Sequence, residues 1–209
     1  MNINSKSDTM SRKERDKLRN REAILDAAVH LFAQKGFTET KLEDVAALAE
    51  FGKGTLYNYF RDKNDLLIST FDYALGKVTD YLNEKLTHEQ NPLERIRLIV
   101  ISQFEYYNSN EDFLRVVVAN QRVIGKAIQG DAGKDLHKRF MDLRKMMIEE
   151  IQTAIEEGSL KPGDPARYAS YLSGMIHSQV RALNSGELTI NDTKPEEIVD
   201  IFLNGARNE

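Results

Sequence analysis

One stretch, Thr40 to Lys63, constrains this chain more than any other part of it. It reads TKLEDVAALAEFGKGTLYNYFRDK, two short helical patterns divided by a tight turn. Thr40 and Glu43 stand as an S/T-x-x-E capping box, which predicts a helix from Lys41. Leu42, Val45, Ala46 and Ala49 then recur at helical spacing, with alanines where a neighbouring helix can approach closely. The turn is expected at Glu50-Phe51-Gly52, with Gly52 taking a backbone conformation costly for other residues. The second helix, expected from about Lys53 to Phe60, has only Leu56 and Phe60 as an inward i, i+4 pair. Lys53, Gly54, Thr55, Tyr57, Asn58 and Tyr59 are left for its other faces. Donors, hydroxyls and flat aromatics of this kind suit phosphates and base edges.

The pattern resembles the helix-turn-helix of the TetR family of bacterial transcriptional regulators. That family runs T, then D-[IV]-A, then A-G-V-S-x-G-T-[LI]-Y-x-Y-F and x-x-K. Here the matching residues are Thr40, Asp44-Val45-Ala46, Ala49 to Phe60, and Lys63. Two positions depart from it. Glu50 stands where the family has its turn glycine, and Gly52 where it has the serine that caps the recognition helix. The resemblance implies DNA contact through Thr40, Lys41, Gly52, Lys53, Gly54, Thr55, Tyr57, Asn58, Tyr59 and Lys63, the last on a phosphate.

Charge distribution agrees with a DNA-facing end. The 209 residues carry a net charge of −4, which alone argues against a polyanionic partner. Residues 1–64, however, hold 12 Lys and Arg against 10 Asp and Glu, while the rest hold 17 against 23. A mildly basic head on an acidic body keeps the body off the polyanion. With no cysteine, disulfides, thiolate metal sites and cysteine nucleophiles are excluded. No apolar run reaches the roughly 18 residues of a membrane span, and the polar N-terminus is unlike a signal peptide. A cytoplasmic protein without membrane contact is expected, starting at Met1 or at Met10.

The rest of the chain reads as helix throughout, giving an all-α fold of about nine helices. Residues 1–18 are expected to form a flexible arm rich in Arg12, Lys13, Arg15 and Lys17. Its basic run is open to two readings, a solvated helical extension or an arm on phosphates or the minor groove. A helix from about Arg19 to Lys35 carries Ile24, Leu25, Ala28, Leu31 and Phe32 inward, with Gly36 as its C-cap and Phe37 folded back. His30 and Gln34 read as structural. These elements make residues 19–64 a three-helix DNA-binding domain, and residues 65–209 a helical ligand-binding and dimerisation domain. Asp62 caps a long rod to about Leu86. Asn91 and Pro92 restart a helix, Asn108 to Asn110 form a loop, and a short helix holds Phe113 to Val118. Gly125 to Gly133 has little pattern. Further helices are expected from Lys134 to Glu157, Ala166 to Asn184, and after a Thr193–Glu196 capping box.

The last two helices carry a wide apolar face (Tyr168, Tyr171, Leu172, Met175, Ile176, Val180, Leu183) with small residues Ser170, Ser173 and Gly174. Such a face fits core packing or an interface. The resemblance implies a homodimer through these helices, and two recognition helices about 34–36 Å apart on a near-palindromic operator. It also implies an effector pocket in the body. Candidate lining residues are Phe71, Phe104, Tyr107, Phe113, Phe140, Met147, Tyr171, Met175 and His177, which would suit a lipophilic or aromatic small molecule. Four scattered histidines, no H-E-x-x-H and no Walker or G-x-G-x-x-G loop after a strand leave no catalytic, metal or cofactor site. The expectation is a repressor released by its effector. Two alternatives stay open: an effector-independent DNA-binding regulator, or a helical ligand-binding protein without DNA binding.

Overall fold

The computed structural model describes residues 10–129, 133–189 and 192–206, and these contain ten α-helices and no strand. Helix α1 runs Arg12–Glu39, starting earlier than the sequence suggested. Ser11 explains the early start: its hydroxyl accepts from the Glu14 N–H while the Glu14 carboxylate accepts from the Ser11 N–H, a complete capping box. Residues 12–18 are therefore helical where a flexible arm was expected, and residues 1–9 lie outside the described residues. Gly36, with φ 78° and ψ 162°, kinks the helix near its end. This lets Phe37 fold back onto Phe32, ring centroids 5.6 Å apart.

Helices α2 (Leu42–Leu48) and α3 (Lys53–Tyr57) form the expected pair, and α4 (Lys63–Leu86) begins on its Asp62 cap. At 1.5 Å per residue α4 is about 36 Å long. Then come α5 (Pro92–Ser109), capped by Asn91, and α6 (Glu111–Ala119). Only Asn110 separates those two, so the expected loop is a single shared cap. Next are α7 (Gln121–Gln129), α8 (Lys134–Glu156), α9 (Pro165–Ser185) and α10 (Pro195–Ala206). The tenth helix is α7, which the weak pattern after Gly125 concealed.

The apolar core lies in two clusters. One joins the head (Ile24, Leu31, Val45, Leu56, Phe60) to Leu67, Phe71, Phe113, Val116 and Leu136 of the body without a break at residue 65. The other packs the lower half of α4 against α5, α8, α9 and α10, around Leu82, Ile96, Phe104, Ile151, Leu172 and Val199. Partly buried Tyr106 and Leu143 touch both. Polar struts reinforce the lower half. The Arg95 guanidinium makes two 2.7 Å bonds to Glu150 of α8 and also donates to the Leu86 and Glu89 carbonyls where α4 ends. No helix among the described residues is long and apolar enough to cross a membrane.

Candidate DNA-binding surface and effector core

The turn between α2 and α3 is built differently from the sequence expectation. Gly52 sits at φ −69°, ψ 150°, open to any residue; the left-handed position is Glu50, at φ 60°. Around it the Phe51 N–H reaches Ala46 O at 2.8 Å and the Glu50 N–H reaches Ala47 O at 3.1 Å. These two bonds are the Schellman pair that closes a helix C-terminus. The chain accepts a strained glutamate because the turn geometry is held from both sides. Gly52 is the N-cap of α3 and has no side chain with which to cap it.

Helix α3 is only five residues long, ending at Tyr57 and not at Phe60. Leu56 and Phe60 are fully buried, as the i, i+4 pair required. Burying a side chain of this size contributes on the order of 2 kcal/mol, so two such anchors fix the short helix rigidly to the head. That leaves Lys53, Gly54, Tyr57 and Asn58 exposed, with Tyr57 46% exposed despite its size. No atom lies within 4 Å of a Cβ added at Gly54, so the backbone there is open to close approach. Thr55 and Tyr59 are half-buried, and Tyr59 leans on the head core. Lys41, at the N-cap of α2, is exposed on the same motif.

Two expected contacts are spent inside the protein. Thr40 is 1% exposed; its hydroxyl lies 2.7 Å from Gly36 O, to which it donates, and 3.2 Å from Leu31 O. It closes the end of α1 instead of capping α2, which has no side-chain cap. The Lys63 ammonium donates to Thr38 O (2.8 Å) and Thr40 O (3.1 Å) and sits 4.7 Å from the Phe37 ring centroid. The carbonyls ending α1 have no intrahelical donors and attract a cation, so the Lys63 ammonium is held at the end of α1.

Lys53 pairs with Glu43 of α2 across the turn, both about half exposed. The hydrogen bond to Lys53 holds the Glu43 carboxyl below its ordinary range and Glu43 raises Lys53 in turn. The sequence reading missed this clamp. Its signal was present, a carboxylate on the first turn of α2 and a lysine on the first turn of α3.

The expected effector residues divide. Phe71, Phe113, Tyr107 and Phe140 meet in the upper cluster, with Tyr107 and Phe113 rings 6.3 Å apart. Phe104, 6.2 Å from Tyr107, joins Met147 and Met175 in the lower cluster. Tyr171 is 57% exposed, and exposed His177 bonds the Ser173 carbonyl through Nδ1 at 2.7 Å. These two belong to the outer face of α9 and line no aromatic core. A surface groove of about 270 Å³ runs between α6 and the end of α9, over Leu114, Val118, Leu183 and Leu188. None of the nine expected residues borders it.

An anchored short helix with a bare polar face, following a helix and a tight turn at the tip of an all-α chain, defines a helix-turn-helix DNA-binding regulator. The chain belongs to the tetR family of bacterial regulatory proteins, whose profile matches residues 24–70. Members of that family act by binding DNA and not by catalysis. Similarity to relatives extends beyond the head. The fatty acid metabolism regulator protein of Bacillus subtilis is 25% identical over 193 residues, spanning 89% of this chain and 95% of the relative. The regulator YerO of the same organism is 26% identical over 178 residues, 82% of this chain but only 58% of YerO. In fold, the FadR regulator of Bacillus subtilis in complex with stearoyl-CoA matches with a TM-score of 0.71 at 19% identity. That match covers 88% of this chain and 95% of that one.

Proposed function

We propose that this protein is a homodimeric transcriptional repressor that leaves a near-palindromic operator when it binds an acyl-coenzyme A. The observation that carries the DNA half is the outward face of α3, Lys53, Gly54, Tyr57 and Asn58 over buried Leu56 and Phe60. Lys41, Gly52 and half-buried Thr55 complete the DNA-facing set, and residues 19–64 form the reading unit. Tyr59 packs rather than reads. Such work belongs in the bacterial cytoplasm.

The dimer reading rests on apolar groups without a partner on the last two helices. Tyr171 is 57% and Ile201 65% exposed, and Gly174 beside them has open space where a Cβ would stand. Large exposed apolar side chains next to a small residue suit a second copy packed helix to helix. Dimerisation supplies two recognition helices one groove turn apart, about 34–36 Å.

The effector reading rests on the aromatic upper core and on the relative crystallised with stearoyl-CoA. Phe71, Tyr107, Phe113 and Phe140 offer an apolar lining that suits an acyl chain. Because the same cluster contains Leu31, Val45 and Leu56 of the head, prying it open moves the reader. Release requires the effector to favour the opened state over the DNA-bound one.

The test is an electrophoretic shift with the DNA upstream of the protein's own gene, repeated with stearoyl-CoA and shorter acyl-coenzyme A esters. Specific binding that Tyr57→Ala weakens and acyl-coenzyme A reverses is the expected result. Binding unaffected by any of these esters would remove the effector half, and no specific shift would remove the DNA half.

A further inference from the structure

The first ten residues of α1 carry Arg12, Lys13, Arg15, Lys17, Arg19 and Arg21 against only Glu14 and Asp16. This segment is helical, so its charges have fixed directions. Lys13, Lys17 and Arg21 form one i, i+4, i+8 row, each residue about 6 Å beyond the last. The root of that row is located by Arg21, whose guanidinium lies 5.4 Å from the Phe60 ring centroid at the α3–α4 corner. The row continues the face that buries Ile24, Ala28 and Leu31, so Lys13 and Lys17 overhang the head on the side where α3 sits.

The acids of the segment are already engaged elsewhere. Glu14 closes the capping box, and Asp16 lies 3.9 Å from Arg19. Among the described residues no carboxylate pairs with Lys13 or Lys17. Like charges at i, i+4 disfavour a helix by about 0.2–0.5 kcal/mol per pair. Cations in the first turn also oppose the helix dipole. The row therefore carries two costs that nothing among the described residues offsets and that an external polyanion relieves.

We infer that this extension of α1 is a second DNA-contacting element, in which Lys13 and Lys17 lie on backbone phosphates flanking the bases read by α3. The inference rests on the DNA-binding reading above and adds a contact to it. The contact positions the head and carries no sequence information.

The experiment compares wild type with the double variant Lys13→Gln/Lys17→Gln, glutamine keeping helix propensity. The double variant Lys138→Gln/Lys145→Gln, at two exposed positions on α8, controls for the same loss of net charge. Affinity for the upstream DNA and for an unrelated duplex is measured over a salt series, with circular dichroism to check helix content. The expected result is a plot of log affinity against log salt shallower by about 0.9 per lost phosphate contact, about 1.8 per head. The ratio of specific to non-specific affinity should not change. A double variant matching wild type, while wild type binds its operator specifically, overturns this inference and leaves the DNA reading standing. A wild type that binds neither duplex overturns both. A loss confined to the specific duplex overturns the phosphate assignment.

Discussion

His30 Nδ1, on the DNA-binding head, lies 2.8 Å from Asp112 Oδ2 in the first turn of α6. The other ring nitrogen is 2.8 Å from Gln34 Nε2, one turn along α1. Since the Gln34 amide donates there, Nδ1 carries the proton that bonds Asp112. Helix α1 also packs along α4, where the Asp26 carboxylate is close enough to Tyr73 to raise its phenol. Helix α1 packs more extensively on α6 than on α2, its neighbour in the motif. The head is thus clasped against two body helices, α4 and α6.

Breaking the clasp should loosen the coupling more than the fold. His30 and Asp112 are each a little under half exposed, so removing either lowers stability by under about 1 kcal/mol. The effector-induced fall in operator affinity should shrink several-fold in His30→Ala and Asp112→Asn, with the double variant no worse than either alone. Competition titrations with and without acyl-coenzyme A measure this. An undiminished response in all three variants would show that the clasp transmits nothing.

Lys63→Ala is expected to act on stability. It removes two bonds to the carbonyls closing α1 and the cation over Phe37, a loss of about 1–3 kcal/mol for a charged donor. Thermal melting should show the drop. The salt dependence of DNA binding should keep its wild-type slope, because the ammonium is held by Thr38 and Thr40. A slope shallower by about 0.9 would mean that Lys63 leaves those carbonyls for a phosphate.

Glu50→Gly should stabilise the protein. A non-glycine residue at φ 60° carries about 1–2 kcal/mol of strain, offset in part by the greater freedom of an unfolded glycine. The net gain should be about 0.5–1 kcal/mol in urea unfolding. Gly52→Ser adds a few tenths by capping α3, since nothing lies within 4 Å of the new Cβ. A destabilised Glu50→Gly would show that the glutamate side chain makes a contact that outweighs its backbone.

What was legible in the sequence is what period and caps encode. Leu56 with Phe60, Asp62 as the cap of α4, and Asn91-Pro92 restarting α5 follow from local rules and stand in the structure. What was not legible depends on competition between distant partners. Thr40 satisfies the capping-box spacing, yet its hydroxyl is held by the Gly36 and Leu31 carbonyls near the end of α1. Lys63 is drawn to the neighbouring Thr38 and Thr40 carbonyls from a position 25 and 23 residues later in the chain. Glu50 shows that tertiary closure of a turn can override the residue preference that pointed to Gly52. In the effector set, Tyr171 stands one turn before Met175 yet is exposed, and His177, two residues after it, faces outward on α9, a rotation that periodicity alone leaves undetermined.

Alkaline pH should weaken the upper core first. Loss of solvation pushes the Tyr107 phenol up to about 12 and raises Tyr106 as well. Tyr73 is raised by burial, then by the nearby Asp26 and Glu22 charges. Unfolded tyrosines ionise near pH 10, so below that both states are neutral and the full stability is present. Above it the unfolded chain gives up protons that the folded one keeps, and stability falls as pH rises from about 10 to about 12. The slope approaches about 1.4 kcal/mol per pH unit for buried Tyr107 and is smaller for the more exposed Tyr73 and Tyr106, whose shifts solvent screens. Tyr107→Phe should flatten this fall by one tyrosine's share, seen by comparing urea midpoints at about pH 9 and pH 11. The tyrosinate absorbance of the folded protein should also rise later than that of the unfolded chain. Parallel pH profiles for wild type and Tyr107→Phe would place the Tyr107 hydroxyl in water and not in the aromatic core.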